Sequence, residues 1–339
     1  MLNSKSDFNL FEADPFSWWL PYIVAAFVGI ITIIREYIGG CECPSRREIC
    51  NKVVLITGGS GGIAYETALE LAKRGGIVIL ACKNIEKGQS TRDKILKVLP
   101  TAIIFVKKLD VSCMASIKNF IENEFRYRRV DVLINNAGIS EHPFQLTEEG
   151  HEIHLATNYL GHFYLTHLLI PRLTAAGNAR VINVIDKVYK NVELHLKDLN
   201  ITTNWSCQEA YAHSKLCLVL MTKQIAKLLQ GYKITINAVT PGSVRNTGFL
   251  RNSPMCKNTL LKIWFYPCLW LFYRNPKQGA QSIIFSVVDA NLEKVSGVLI
   301  SNCEIEKNSK KPQEDKLSEE LYLKTCELLD ISPINPKKH

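Results

Sequence analysis

Apolar positions fall into two kinds of run along this chain. One occurs once, near the start: residues 16–34 carry no charge at all. The other repeats from Lys52 onward, as short continuous apolar runs alternating with longer stretches in which apolar residues recur every third or fourth position. The short runs predict strands over 52–57, 77–81, 103–109, 130–135, 180–184 and 234–239. The longer stretches predict helices over 63–74, 86–96, 114–125, 143–161 with the residues beyond it, and 207–229, because a 3.6-residue period gathers such positions on one face. Strands that are apolar throughout are buried on both faces, the pattern of a parallel sheet between two helical layers. The fold class expected is α/β, a doubly wound parallel sheet. Neither a repeat nor a break in composition divides residues 52–303, so one domain is expected, followed by a 304–339 tail. In that tail 304–315 reads as polar loop and 317–329 as a closing helix.

The first run has the length of a transmembrane helix, since about twenty residues cross the ~30 Å hydrocarbon core of a bilayer. Trp18, Trp19 and Tyr22 sit near one end, where aromatic rings favour the interface. A cleaved signal peptide starts basic, whereas here Asp7, Glu12 and Asp14 face Lys5 alone. Arg35, Arg46 and Arg47 follow the run, which orients the long C-terminal part to the cytosol. The layout expected is a luminal or external terminus over 1–15, a single-pass anchor over 16–35 and a linker over 36–51. A second apolar segment, 260–273, holds Trp264, Phe265, Tyr266, Trp270, Phe272 and Tyr273 between Lys262 and Arg274. It is short and broken by Pro267. Aromatics between cations suit a helix lying in a headgroup layer, so a membrane-proximal lid is expected around 255–275.

Chemistry begins at the turn Thr57-Gly58-Gly59-Ser60-Gly61-Gly62-Ile63-Ala64, between the first strand and the first helix of the repeating pattern. Glycines let a pyrophosphate approach backbone N–H groups, and the helix N-terminus adds partial positive charge. Thr57, Gly58, Ser60, Gly62 and Ile63 are the candidate cofactor-binding residues here. Lys83 and Asn84 end the second strand, where an acid would take the ribose hydroxyls of NAD and a base favours the extra phosphate of NADP. NADP is therefore expected, with NAD as the alternative. Asp110, after the third strand, is placed either to hold the adenine amino group or to cap a helix.

Four further patterns follow in order: Asn135-Asn136-Ala137-Gly138; Asn158-Tyr159-Leu160-Gly161-His162-Phe163; Tyr211-Ala212-His213-Ser214-Lys215; and Pro241-Gly242. With the Thr57 turn, the sequence resembles the short-chain dehydrogenase/reductase family from Lys52 to the end, and within it the retinol-dehydrogenase-like branch. The resemblance implies a Rossmann-type fold. It implies a membrane-bound oxidoreductase, in the endoplasmic reticulum or another internal membrane, acting on retinoids, steroids or other small lipophilic substrates. It adds Asn136, Ala137, Gly138, Pro241 and Gly242 to the cofactor site, and Asn158, Tyr211 and Lys215 as catalytic residues. It also points to the helix carrying Tyr211 as a face for a homodimer. Read from spacing, Tyr211 and Lys215 are one turn apart, so the ammonium lies near the phenol and is expected to lower its pKa towards neutrality. Tyr211 would then exchange a proton with the substrate oxygen while nicotinamide carries the hydride.

One position departs from the family pattern. After 180–184 the family has a serine that donates a hydrogen bond to the substrate oxygen, and this chain reads Ile185-Asp186-Lys187. An ionised carboxylate cannot donate that bond, and the loss of such a donor costs roughly 10²–10³ in rate. The resemblance thus carries two readings: an oxidoreductase, or a catalytically impaired scaffold that binds cofactor or lipid. The formal net charge of +9 is scattered among acids, which suits a membrane surface and argues against a nucleic-acid partner. The eleven cysteines include no Cys-x-x-Cys pair, so no metal site or disulfide framework is expected.

Overall fold

The computed structural model describes residues 15–200, 205–245, 267–268, 270–306 and 312–335. Seven parallel strands are β1 (Val53–Thr57), β2 (Ile77–Cys82), β3 (Ile104–Lys108), β4 (Val132–Asn135), β5 (Ala179–Val184), β6 (Ile234–Thr240) and β7 (Leu299–Ser301). The two-residue β8 (Glu304–Ile305) closes the edge antiparallel to β7. The order is β3-β2-β1-β4-β5-β6-β7-β8. β1, β4, β5 and β6 are buried at every residue, as continuous apolar runs require. β3 lies at the opposite edge, and its Phe105 and Lys108 face solvent.

Two helical layers account for two apolar cores. On one face α2 (Gly62–Lys73), α3 (Ile85–Val98) and α8 (Pro276–Val288) bury residues such as Leu71, Ile95, Ile283 and Val287. On the other lie α4 (Met114–Asn119), α5 (Ile153–Leu155), α6 (Gly161–Ala175), α7 (Cys207–Leu228) and α9 (Pro312–Leu328), around Phe120, Phe163, Leu218 and Leu321. α7 starts at a capping box in which Ser206 and Glu209 satisfy each other's backbone N–H groups.

The structure departs from the predicted elements in several places. The helix expected over 143–161 begins only at Ile153. Ahead of it the chain turns at Gly150 (φ +80°), and the Glu152 carboxylate caps the helix by accepting from Leu155 N at 2.8 Å. α5 then widens into a π-turn (Ala156–Leu160) before α6. α8 was absent from the predicted elements, although Asn275 and Gln278 form a capping box with Pro276 in the first turn. The stretch 304–315, read as loop, contains β8 and the start of α9.

α9 lies along the outer face of α6 and α7. Leu321, Tyr322, Thr325 and Cys326 are buried there, Tyr159 Oη donates to Thr325 Oγ1 at 2.7 Å, and Lys227 pairs with Asp315 at 2.8 Å. At the other end of the chain, α1 (Pro15–Gly39) stands apart from the sheet. Its stretch Trp19–Gly39 has mean hydropathy 1.6 and is 6% buried, long and apolar enough to cross a membrane. Among the described residues, only its last turns meet the domain. Arg35 Nη1 donates to the carbonyls of Trp270 (2.5 Å) and Tyr273 (3.1 Å), and Arg274 Nε returns a bond to Ile38 O at 2.9 Å.

Candidate active site

β1 and β4 are neighbours in the sheet but not in sequence, and the chain leaves them in opposite directions. A crevice opens at the carboxyl ends of strands where the winding reverses in this way. Both glycine-containing motifs are found there. Gly58 adopts φ +67°, and a Cβ on it would stand 2.8 Å from the Ala137 backbone, so the turn after β1 touches the turn after β4. Thr57 Oγ1 stitches them by accepting from Asn136 N (2.9 Å) and Ala137 N (3.0 Å), while Asn136 Nδ2 donates to Thr57 O (3.0 Å). Gly61 precedes α2 and offers no side-chain cap, so the first-turn N–H groups of Gly62 and Ile63 remain available to an anion. That open helix start beside the exposed Ser60 fits a dinucleotide phosphate.

The expected adenosine end is more heavily engaged. Lys83 Nζ pairs with Asp110 Oδ2 at 2.7 Å. Burial works against the Asp110 carboxylate, but the bonds from Lys83 and Ser112 outweigh it and hold its pKa below the usual value. Asn84 caps α3, its Oδ1 accepting from Lys87 N at 2.8 Å. Lys83, Asn84 and Asp110 thus lie together at the rim; Asn84 caps α3, while the helix cap expected of Asp110 falls to Cys113, and Asp110 accepts from Ser112 N instead. Pro241 and Gly242 follow β6 at the same end of the sheet. The lid expected around 255–275 lies mostly outside the described residues.

Asn158 sits in the π-turn with its amide fully used. Oδ1 accepts from Ile139 N (2.9 Å), and Nδ2 donates to Ile139 O (3.0 Å) and Ser214 Oγ (2.9 Å). The following Gly161 is needed for close packing, since a Cβ there would lie 1.8 Å from Val111 O. On α7, Lys215 Nζ is buried and donates to Val184 O at 3.0 Å, at the end of β5. Burial lowers its pKa to about 8, against the pull of Asp186 in the other direction.

Asp186 stands against the end of the Tyr211 side chain: the Tyr211 hydroxyl donates to Asp186 Oδ2 at 3.2 Å. The expectation of a lowered Tyr211 pKa fails in this arrangement. Burial, then the Asp186 charge, then the bond to Asp186 all raise it well above the usual phenol value. Lys215 Nζ lies 5.8 Å from the Tyr211 ring centre and gives one of its three hydrogens to the Val184 carbonyl. The sequence motifs named His162 without giving it a task. Its ring is wholly buried between Thr57 Oγ1 (3.1 Å from Nε2) and Asn158 O (3.2 Å from Nδ1). Contacts across more than a hundred positions leave no periodic signal, and only the recurrence of the ring inside a chemical motif hinted at it.

A parallel sheet wound in this order, with a phosphate-type turn facing a buried Tyr–Lys pair, defines a Rossmann-type α/β protein with a dinucleotide crevice. The family model for short chain dehydrogenases matches residues 52–255. Human retinol dehydrogenase 12 is 38% identical over 88% of this chain and 92% of its own length. Mouse retinol dehydrogenase 13 is 33% identical over 91% and 93% respectively. Among solved structures, levodione reductase superposes with a TM-score of 0.61 at 22% identity, covering 75% of this chain and 96% of its own. A candidate NAD(P)-dependent gluconate 5-dehydrogenase from Beutenbergia cavernae, solved with NADP at low occupancy, gives 0.59 at 21% identity, covering 75% and 96%. The chain belongs to the short-chain dehydrogenase/reductase family, in its retinol-dehydrogenase-like branch.

Proposed function

We propose that this protein is a membrane-anchored, NADP-using oxidoreductase that interconverts a lipophilic alcohol (a retinoid, steroid or other lipid) and its carbonyl. The observation that carries this reading is the convergence of Tyr211, Lys215 and Asn158 beside the Thr57 turn. The names of the relatives supply the substrate class. The turn from Thr57 to Ile63 would hold the pyrophosphate, Lys83 the 2′-phosphate, and Asn136–Gly138 with Pro241 and Gly242 the nicotinamide half. When bound, the nicotinamide supplies or accepts the hydride. The chain's own part is to orient the substrate oxygen at the Tyr211 hydroxyl, the proton donor or acceptor, with Lys215 as the nearby cation. Full-length protein with NADPH and a panel of retinoid and steroid carbonyls tests this; turnover on at least one member is expected.

Asp186 supports a second reading, a scaffold that binds cofactor or lipid without efficient turnover, and binding across the panel without turnover would select it. For the membrane, α1 serves as anchor with the domain in the cytosol. Asn200 fits that side: it begins the sequon Asn-Ile-Thr, yet its Nδ2 donates to Gly150 O at 2.7 Å. No glycosidase-sensitive mobility shift is expected, and one abolished by replacing Asn200 and Asn204 would reverse the orientation. Trp270 and Phe272, exposed beside the end of α1, support a lid that dips into the same leaflet. A chain beginning at Cys50 should still bind liposomes, less so with Trp264 and Trp270 both changed to Ser. A wholly soluble truncated chain would sink the lid idea.

A further inference from the structure

We propose that His162 is a positioning residue that couples the cofactor turn to the catalytic helix, acting as a one-way hydrogen-bond relay between Thr57 and Asn158. The inference rests on the nucleotide-crevice reading and adds a residue to it.

The direction of the relay follows from counting hydrogens. A threonine hydroxyl has one hydrogen and two acceptor sites. Both acceptor sites of Thr57 Oγ1 are taken by the N–H groups of Asn136 and Ala137. Its hydrogen therefore points to a further acceptor, and His162 Nε2 at 3.1 Å is nearer than Ile134 O at 3.4 Å. An unprotonated Nε2 puts the ring hydrogen on Nδ1, which then donates to Asn158 O at 3.2 Å. The opposite tautomer would set a nitrogen lone pair against that carbonyl oxygen. The doubly protonated ring would crowd a third donor onto Thr57. Burial, aided by the Lys215 charge, lowers the ring's pKa to about 3, so the neutral form persists at working pH.

The path continues beyond the ring. Asn158 holds Ser214 through Nδ2 at 2.9 Å, and Ser214 Oγ donates to Tyr211 O at 2.7 Å. From the Asn136 amide to the Tyr211 backbone, neighbouring residues are joined by hydrogen bonds among buried or half-buried groups, and within Asn158 the path passes covalently from the main-chain carbonyl to the side-chain amide. His162 is where that path crosses from the β1 turn to α6. A ring needed only to fill space could be replaced by an apolar one, whereas this one has a donor and an acceptor on opposite sides, each with a matching partner.

Two substitutions separate the two ends. His162→Asn can keep a donor near the Nδ1 position but removes the acceptor from Thr57. His162→Gln can reach Thr57 with Oε1 but leaves Asn158 O without its donor. NADPH binding by full-length protein in detergent, followed by cofactor fluorescence, should weaken about 10-fold or more in His162→Asn, the order expected when a buried hydroxyl loses its partner. Thr57→Val should lose as much, and the double variant no more than about 3-fold beyond Thr57→Val, because coupled residues are not additive. His162→Gln should stay within about 3-fold in affinity while amide hydrogen exchange over residues 156–163 speeds up. Unchanged affinity in His162→Asn or Thr57→Val, or fully additive losses in the double variant, overturns the relay. If the unmodified chain binds neither NADPH nor NADH, the nucleotide reading itself fails, and that outcome is distinct because it precedes any substitution.

Discussion

The two walls of the crevice are built from similar parts and differ in the sense of one hydrogen bond. On the wall formed by the ends of β1 and β4, Thr57, Asn136 and His162 pair each donor with an acceptor. On the wall formed by β5 and α7, Asp186 faces the Tyr211 hydroxyl as an acceptor where the family has a donor. The first wall needs a shape and the second needs a polarity. The Asp186 carboxylate also caps the next turn by accepting from Val188 N at 3.3 Å. α7 beside it runs as a regular helix from Cys207 to Leu228.

If that contrast is right, Asp186→Ser has the largest effect. It removes the misplaced acceptor and restores a donor, so NADPH-dependent carbonyl reduction should rise at least ~10-fold, within the ~10²–10³ span of one such hydrogen bond. A variant that binds cofactor but gains nothing would move the fault elsewhere in the pocket. Next comes Asp186→Asn, which takes away the charge while keeping a polar side chain. Since the Asp186 charge holds the Tyr211 phenol up, its removal stabilises phenolate. The limb of the alcohol-oxidation pH profile that reports Tyr211 should then move to lower pH. An unmoved limb would mean that burial alone sets the tyrosine.

The nucleotide wall gives a smaller, opposite test. NADPH should bind more tightly than NADH, and Lys83→Asp should shrink the difference several-fold, an exposed charge being worth about 1 kcal/mol or less. Equal affinities in the unmodified protein would leave Lys83 as no more than the partner of Asp110. Smallest is Tyr159→Phe, which deletes the bond to Thr325 while leaving Thr325 Oγ1 its own bond to Leu321 O. Urea unfolding should register about 1 kcal/mol of lost stability. A negligible loss would show that α9 is held by apolar contact alone.

What could be read in advance follows the range of the forces. β1, β2, β4, β5 and β6 announce themselves because burial on both faces makes them largely apolar, with polar residues such as Asn135, Asn183 and Asn237 buried among the rest. α8 carries its own signals in Asn275-Pro276 and the apolar spacing of Ala280, Ile283, Ile284, Val287 and Val288, next to a denser aromatic segment that masks its start. β7 and β8 are too short for any period to show. At the site, motif residues were found because their chemistry demands particular side chains. One-turn spacing to Lys215 points to a lowered Tyr211 pKa because it reveals neither the burial of the phenol nor the Asp186 carboxylate standing against it. Arg35 was read as a topogenic charge, while the structure also gives it the carbonyls of Trp270 and Tyr273.

α9 is synthesised after α6 and α7, yet it covers the flank of both on which the resemblance would seat a second subunit. Until residues such as Leu321 and Tyr322 arrive, the apolar side of that pair lacks this cover. The nascent sheet and its helices must therefore wait with a sticky flank exposed until α9 emerges. Such an interval is when partly folded chains find one another. Chains truncated just before α9 would carry that flank permanently, making this one helix a checkpoint for solubility during biosynthesis.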